Sequence, residues 1–332
     1  MPSPDTCRPT PAQTRWMALR YGMFIHFGIN TFSRTMWGDG TFPTEAFCPR
    51  KLDTDQWVQM ALDAGMRYVV LTAKHHDGFC LWPSEHTRYG VVAGRPPMDV
   101  VGKLAESCRR HGLAMGLYYS LWDRNAPCYP DDAAYAAYMR AQVGELLQWY
   151  GPVVELWFDG AWDKDHPNRQ PQYDPAWEQS ADSGLQSGQR WQWDQLYAYI
   201  KSLQPACLVI NNSSCERPGR IKYLPVDVRT AELFDFVYQG QLYTPITNCR
   251  YRSADGAEIF IPLEFCATLN RNWFYDPQQG QSHPSAATIA DWFNRAAAAD
   301  ANLLVNIGPN DLGLLPEYHR AFLRGARQHF GK

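Results

Sequence analysis

The order of apolar and amphipathic segments predicts an α/β protein with a (β/α)8-like TIM-barrel fold. Three observations carry the prediction. About eight short apolar runs alternate with longer stretches of helical period, as parallel strands joined by crossover helices require. The helical stretches share one start-and-stop grammar, opening near an Asp and closing at a Gly. A chain of 332 residues also suits one large core without a split into two domains.

Taken in order, the expected strands are residues 23–28 (MFIHFG), 68–74 (YVVLTAK), 114–120 (AMGLYYS), 153–159 (VVELWFD), 207–212 (CLVINN), 226–232 (VDVRTAE), 259–265 (IFIPLEF) and 302–308 (NLLVNIG). The sixth and seventh carry the weakest pattern. Between them, helices are expected over 53–64 before Gly65, 98–110 before Gly112, and 131–150 before Gly151. The stretch 161–189, rich in Pro, Gln, Asp and Ser, reads as a long loop after the fourth strand, and 239–255 as a second. A last helix near 316–328 leaves almost no chain for another domain, so residues 1–332 are expected to form a single catalytic domain without a C-terminal β-sandwich.

Composition narrows the function. With 31 Lys+Arg against 34 Asp+Glu, the chain has no broad attraction for nucleic acid or acidic lipid. No segment approaches a membrane span and the first residues lack a signal-peptide pattern. The compartment stays open: cytoplasmic as given, or periplasmic or secreted if a signal was removed. Homo-oligomerisation is open as well. Nine cysteines, scattered from Cys7 to Cys266 without a close CxxC pair, suggest free thiols rather than a zinc cluster or disulfide framework. Thirteen tryptophans suit both packing and stacking on sugar faces. Trp162, Trp177, Trp191 and Trp193 lie near or in the first long loop and are read either as a leaving-group platform or as packing.

In a parallel barrel the C-terminal strand ends share one face. The expected ends are polar: His26; Lys74, His75, His76 and Asp77; Tyr118, Tyr119 and Ser120; Asp159; Asn211 and Asn212; Glu232; Glu264; and Asn306. Two carboxylates on such a face are the minimum for glycoside hydrolysis, one attacking the anomeric carbon and one moving the leaving-group proton. His75 and His76, as neighbours on an extended strand end, should diverge, which argues against both binding one metal. No cofactor is expected. A metal-dependent barrel hydrolase using His26, His75, His76 and Asp159 is the alternative enzyme, and a catalytically decayed carbohydrate-binding barrel the non-enzymatic one.

The segments YGMFIHFG, LDTDQWVQMALDAGMRYVVLTAKHHDGFCLWPS, LYYS, ELWFDG and NLLVNIGPNDLGLLP resemble α-L-fucosidases of glycoside hydrolase family 29. The resemblance spans about residues 15–325, and the pair KHHDGF and WFDG carries most of its specificity. It implies a retaining, exo-acting α-L-fucosidase acting on a fucosylated oligosaccharide or glycan through a covalent fucosyl-enzyme. It places the nucleophile at Asp159 and an aromatic wall at Trp157. It assigns His26, His75 and His76 to fucose hydroxyls and Tyr119 to the sugar or the nucleophile. VDVRTAELF nominates Glu232 as the acid/base and PLEFCATLNRNWFY nominates Glu264, with Glu232 preferred. Trp37, from the loop MWGDGTFPTEAF, and Trp273 complete the expected sugar contacts. That loop departs from the family pattern, since Phe42 stands where an acid is expected. The basic residue expected after the fifth strand is missing from NNSSCE, leaving Arg217 as its replacement.

Overall fold

The computed structural model describes residues 8–93, 98–160, 188–212, 224–232, 237–238, 241–242, 250–252, 258–279 and 284–331. Eight strands form one curled sheet: β1 (Tyr21–Ile25), β2 (Tyr68–Lys74), β3 (Ala114–Ser120), β4 (Glu155–Asp159), β5 (Leu208–Asn211), β6 (Arg229–Glu232), β7 (Leu263–Thr268) and β8 (Asn302–Asn306). Their order runs from β5 through β4, β3, β2, β1, β8 and β7 to β6, and every pairing is parallel. The described helices are α1 (Pro11–Met17), α2 (Ile29–Ser33), α3 (Thr54–Asp63), α4 (Val100–His111), α5 (Asp132–Trp149), α6 (Trp193–Leu203), α7 (Ala286–Ala298) and α8 (Tyr318–Arg327). The chain therefore folds as the (β/α)8-like barrel the sequence predicts. None of the described helices is long and apolar enough to cross a membrane.

The cap grammar is realised as hydrogen bonds. Asp53, Asp99 and Asp131 each accept from a backbone N–H in the first turn of α3, α4 and α5. Gly112 closes α4 in the left-handed region at φ 69°.

The barrel closes between β5 and β6, where the ladder thins to the single bridge Ile210 to Val228. Asp227 completes that seam. Its N–H donates to Val209 O at 2.8 Å, its Oδ2 accepts from Val209 N at 2.8 Å, and Lys201 of α6 lies 2.6 Å from the same oxygen. Backbone groups that a regular ladder would pair are thus satisfied by a side chain.

Strand alternation sorts residues onto two faces. Phe24, Tyr68, Val70, Tyr118, Trp157, Cys266 and Leu304 pack together inside the barrel, with Trp16 of α1 joining the same cluster. Met23, Leu71, Tyr119, Leu156, Phe158 and Val305 pack outward against the helices. Between barrel and α5 lies a buried ion pair, Lys74 Nζ to Asp123 Oδ2 at 2.7 Å. Tyr119 and Tyr135 hydroxyls accept from the same ammonium at 2.9 and 3.3 Å. Asp123 Oδ1 accepts from Asn125 N and Ala126 N, so the pair fixes the loop after β3 to the end of β2.

Two expectations change here. The seventh strand begins at Leu263, four residues later than the apolar run suggests, because Glu258–Phe260 pairs antiparallel with Arg250–Arg252. Pro262, which has no N–H to donate, separates the two pairings. Trp191 and Trp193 are core residues rather than a platform: Trp191 packs on Tyr129 and Tyr135, and Trp193 packs edge-on to Phe158 while Nε1 donates to Pro225 O at 2.8 Å. Trp162, Trp177 and Arg217, and most of the two long loops, lie outside the described residues.

Candidate active site

Asp159 is the last residue of β4, and its side chain is 13% exposed at the C-terminal end of the barrel. Its carboxylate is held from three sides. Tyr118 Oη donates to Oδ2 at 2.9 Å, while Gly160 N at 2.7 Å and Asn212 Nδ2 at 3.1 Å donate to Oδ1. Gly160 adopts φ 72°, and a Cβ there would lie 3.0–3.1 Å from Trp122, His76 and Ser120. The turn beyond Asp159 therefore requires glycine.

Asn212 also links the two carboxylates. The same Nδ2 donates to Glu232 Oε2 at 3.3 Å, and Thr230 Oγ1 fixes the amide by donating to its Oδ1 at 3.0 Å. The separation of Asp159 Oδ1 from Glu232 Oε2 is therefore bounded by two hydrogen-bond lengths, 3.1 and 3.3 Å. That bound concerns one oxygen of each carboxyl and is compatible with the ~5–5.5 Å between the carboxyl groups of retaining glycosidases.

Three histidines line the same end, all neutral because burial holds their pKa values down. His26 is lowered to about 3; His75 and His76 fall well below the ordinary histidine range, burial again being the largest cause. Hydrogen-bond partners settle two tautomers. Ser120 Oγ donates its only proton to Trp122 O at 2.6 Å, so it accepts from His76 Nδ1–H at 2.7 Å. Asn306 donates through Nδ2 to Thr268 Oγ1 and Trp273 O, so its Oδ1 accepts from His26 Nδ1–H at 2.8 Å. Both imidazoles keep an unprotonated Nε2, and that of His76 lies 3.7 Å from Asp159 Oδ2. Lone pairs on His26, His76, Asp159 and Glu232 make this face rich in acceptors, suited to a ligand that brings hydroxyl donors.

Aromatic rings frame these groups. Trp273 lies 5.0 Å from the His26 ring. Phe274 meets His26 and His75 edge-on. Trp37 stands 6.0 Å from His76 and 6.3 Å from Trp122. His75 and His76 do not diverge as expected, since their ring centroids are 4.0 Å apart. β2 stops at Lys74, and the next residues turn, with Gly78 N donating to His75 O, so strand alternation no longer applies.

Three expected contacts are relocated. Tyr119 faces the helices, where its hydroxyl donates to Gln142 Oε1 at 2.7 Å; its neighbour Tyr118 is the tyrosine that reaches Asp159. Adjacent strand residues point to opposite faces, and a YY pair does not reveal which is inward. Tyr118→Phe is expected to lower kcat by about tenfold through loss of a charge-assisted hydrogen bond, with little change in melting temperature. Tyr119→Phe is expected to lower the melting temperature and leave kcat within about twofold. Parallel assays and thermal melts check both, and the reverse pattern would return the role to Tyr119.

Glu264 is not at a strand end. It is the second residue of β7, in register with Asn302, the first residue of β8, and lies at the opposite end of the barrel from Asp159, fully buried. It accepts from Tyr68 Oη at 2.7 Å and from Trp157 Nε1 at 2.9 Å. Trp157, 1% exposed, is consequently a buried support beneath the site and offers no open wall. Glu155 shares this floor and accepts from Trp16 Nε1.

Burial raises Glu264 to about 7. Burial, and secondly the charge of Glu264, raise Glu155 well above the carboxylate range. From about pH 4.5 to 7 the folded chain holds more protons at Glu264 than the unfolded chain does, so this contribution to stability falls as pH rises. The buried histidines act oppositely, losing stability as pH falls below their ordinary 6.5. Subtracting wild type from Glu264→Gln isolates the carboxyl: the difference in urea unfolding free energy is expected to rise from about pH 4.5 to 7. A flat difference would contradict the protonated floor.

Among the described residues, no three His, Cys, Asp or Glu side chains converge so as to hold a metal ion, so the metal-dependent alternative finds no ligand set there. A family profile for α-L-fucosidase matches residues 36–330. α-L-Fucosidase 1 of Arabidopsis thaliana is 31% identical over 95% of this chain and 59% of its own length. The crystal structure of a glycoside hydrolase 29 family member from an unknown rumen bacterium superposes with TM-score 0.79 at 28% identity, covering 96% of this chain and 56% of that one. α-L-Fucosidase isoenzyme 1 from Paenibacillus thiaminolyticus gives TM-score 0.72 at 26% identity, over 96% of this chain and 75% of that one. The chain thus spans little more than half the length of the first two. With a matching profile over most of its residues and the same barrel, the chain belongs to the α-L-fucosidase family, glycoside hydrolase family 29.

Proposed function

We propose that the protein is an exo-acting, retaining α-L-fucosidase that removes terminal α-L-fucosyl residues from oligosaccharides or glycoconjugates. The observation that carries the reading is the Asn212 amide, which donates to Asp159 and to Glu232 at once and so holds two carboxylates together on one face, as double displacement requires. Asp159 Oδ2 or Oδ1 attacks the anomeric carbon, the bond to the leaving-group oxygen breaks, and Glu232 delivers a proton to that oxygen. Glu232, now a carboxylate, takes a proton from water, which attacks the same carbon and releases Asp159. Two inversions give net retention.

His26, His75 and His76, with Trp37 and Trp273 at the rim, bind the sugar in this reading. Unprotonated Nε2 atoms accept from its hydroxyls and the aromatic rings meet its apolar C6 methyl, a contact worth roughly 1–3 kcal/mol of selectivity. The reaction needs no cofactor, and Arg217 remains a proposed sugar contact.

The test is hydrolysis of 4-nitrophenyl α-L-fucoside and of fucosylated oligosaccharides, followed by proton NMR. Turnover with α-L-fucose as the first-formed anomer supports the reading. First appearance of β-L-fucose, or absence of turnover on both substrate types, overturns it.

A further inference from the structure

The polar floor breaks a rule of barrel interiors. Glu264 and Glu155 are both fully buried, and no Lys or Arg bonds either carboxyl among the described residues. Space is cleared for them: a Cβ at Gly22 would lie 2.5 Å from the Tyr68 ring, and one at Gly116 would lie 2.7 Å from Glu155 Cγ. Two glycines in strand interiors and two desolvated acids both disfavour folding, and an apolar filling of equal volume would be more stable. Such local violations mark function.

The contacts of Glu264 lead to the nucleophile. Trp157 Nε1 donates to Glu264 Oε1 at 2.9 Å, the Trp157 ring stacks on Tyr118 at 5.6 Å and 21°, and Tyr118 Oη donates to Asp159 Oδ2 at 2.9 Å. Trp157 and Asp159 also lie two residues apart on β4, on the same side. On the strength of the fucosidase reading, we infer that Glu264 is a positioning residue: it holds the Trp157 indole so that Tyr118 aims Asp159 at the anomeric carbon. The indole N–H has no exit to solvent and must keep an acceptor. Without one the ring re-seats, and Tyr118, which leans on it, moves with it. Glu264 touches no substrate and moves no proton in the reaction.

The test compares Glu264→Leu, which removes both acceptor oxygens, with Glu264→Gln, whose Oε1 still accepts from Trp157 while its amide donates to the Tyr68 oxygen. Expected for Glu264→Leu are a kcat lowered about tenfold on 4-nitrophenyl α-L-fucoside, as for Tyr118→Phe, and an inhibition constant for L-fucose within about threefold of wild type. Glu264→Gln restores most of the lost kcat. Trp157→Phe, which removes the N–H from the other side, should reproduce the Glu264→Leu loss and decides the question if Glu264→Leu does not fold. Combined with Tyr118→Phe, neither variant lowers kcat further, because all three act through one hydrogen bond. An unchanged kcat, a parallel loss of L-fucose affinity, or multiplying losses would each overturn the positioning role while wild type remains a fucosidase. A wild type without fucosidase activity overturns the fucosidase reading and this inference with it.

Discussion

Asp159→Gly is expected to lower kcat on 4-nitrophenyl α-L-fucoside by more than about 10⁴-fold, and sodium azide is expected to restore part of it as β-L-fucosyl azide. The argument rests on what the substitution leaves behind. Removing the side chain deletes the attacking oxygens and opens a void beside Tyr118 Oη and Asn212 Nδ2, two donors that suit a small anion. Azide attacks from the same face as the missing carboxylate, and the 4-nitrophenolate leaves without needing a proton. Because azide replaces the first inversion and no second follows, the product anomer is inverted. Full activity of Asp159→Gly, or an azide product of the α configuration, would place the nucleophile elsewhere.

Glu232→Ala carries the second largest effect and the opposite stereochemistry. Natural glycans, whose leaving oxygens need a proton, are expected to lose about 10²- to 10⁴-fold in kcat/KM. The aryl fucoside is expected to form the fucosyl-enzyme at a rate much closer to wild type. Its hydrolysis then stalls for want of a base, so azide accelerates turnover and yields α-L-fucosyl azide by double inversion. Glu264 gives no such signature in the structure, because it sits on the barrel floor and accepts from Tyr68 and Trp157. A Glu232→Ala variant that hydrolyses natural glycans normally would move the acid/base role to a residue of the undescribed loops.

The candidate site was legible in part. Asp159 ends a strand whose limits are clear from its hydrophobic run, His26 follows the first strand, Glu232 ends the weakly patterned sixth, and the structure brings all three to one face. The resemblance assigns this contact to Tyr119, whereas the structure gives it to Tyr118, because inward facing is a property of the sheet register, Tyr118 against Trp157 and Ser120 against Asp159. Asn212 was visible only as one more polar residue at a strand end; its bonds to Asp159 and Glu232 join β4, β5 and β6 across the weakly paired seam. His75 and His76 converge since the strand ends one residue before them.

By itself the sequence determined the barrel, because hydrophobic period, Asp caps and Gly stops are local properties written into each segment. It also determined the family, through motifs whose residues are contiguous. Only the tertiary structure decided which glutamate stands near Asp159. Glu232 and Glu264 each stand at the end of an expected strand, and the distinction rests on where β7 begins after Pro262, which is fixed by its pairing with β6 and β8. The floor beneath the site was likewise a tertiary decision, since Trp16, Tyr68, Glu155, Trp157 and Glu264 meet only when distant strands close around them. Side-chain direction follows register, and register is set by partners far away in the chain.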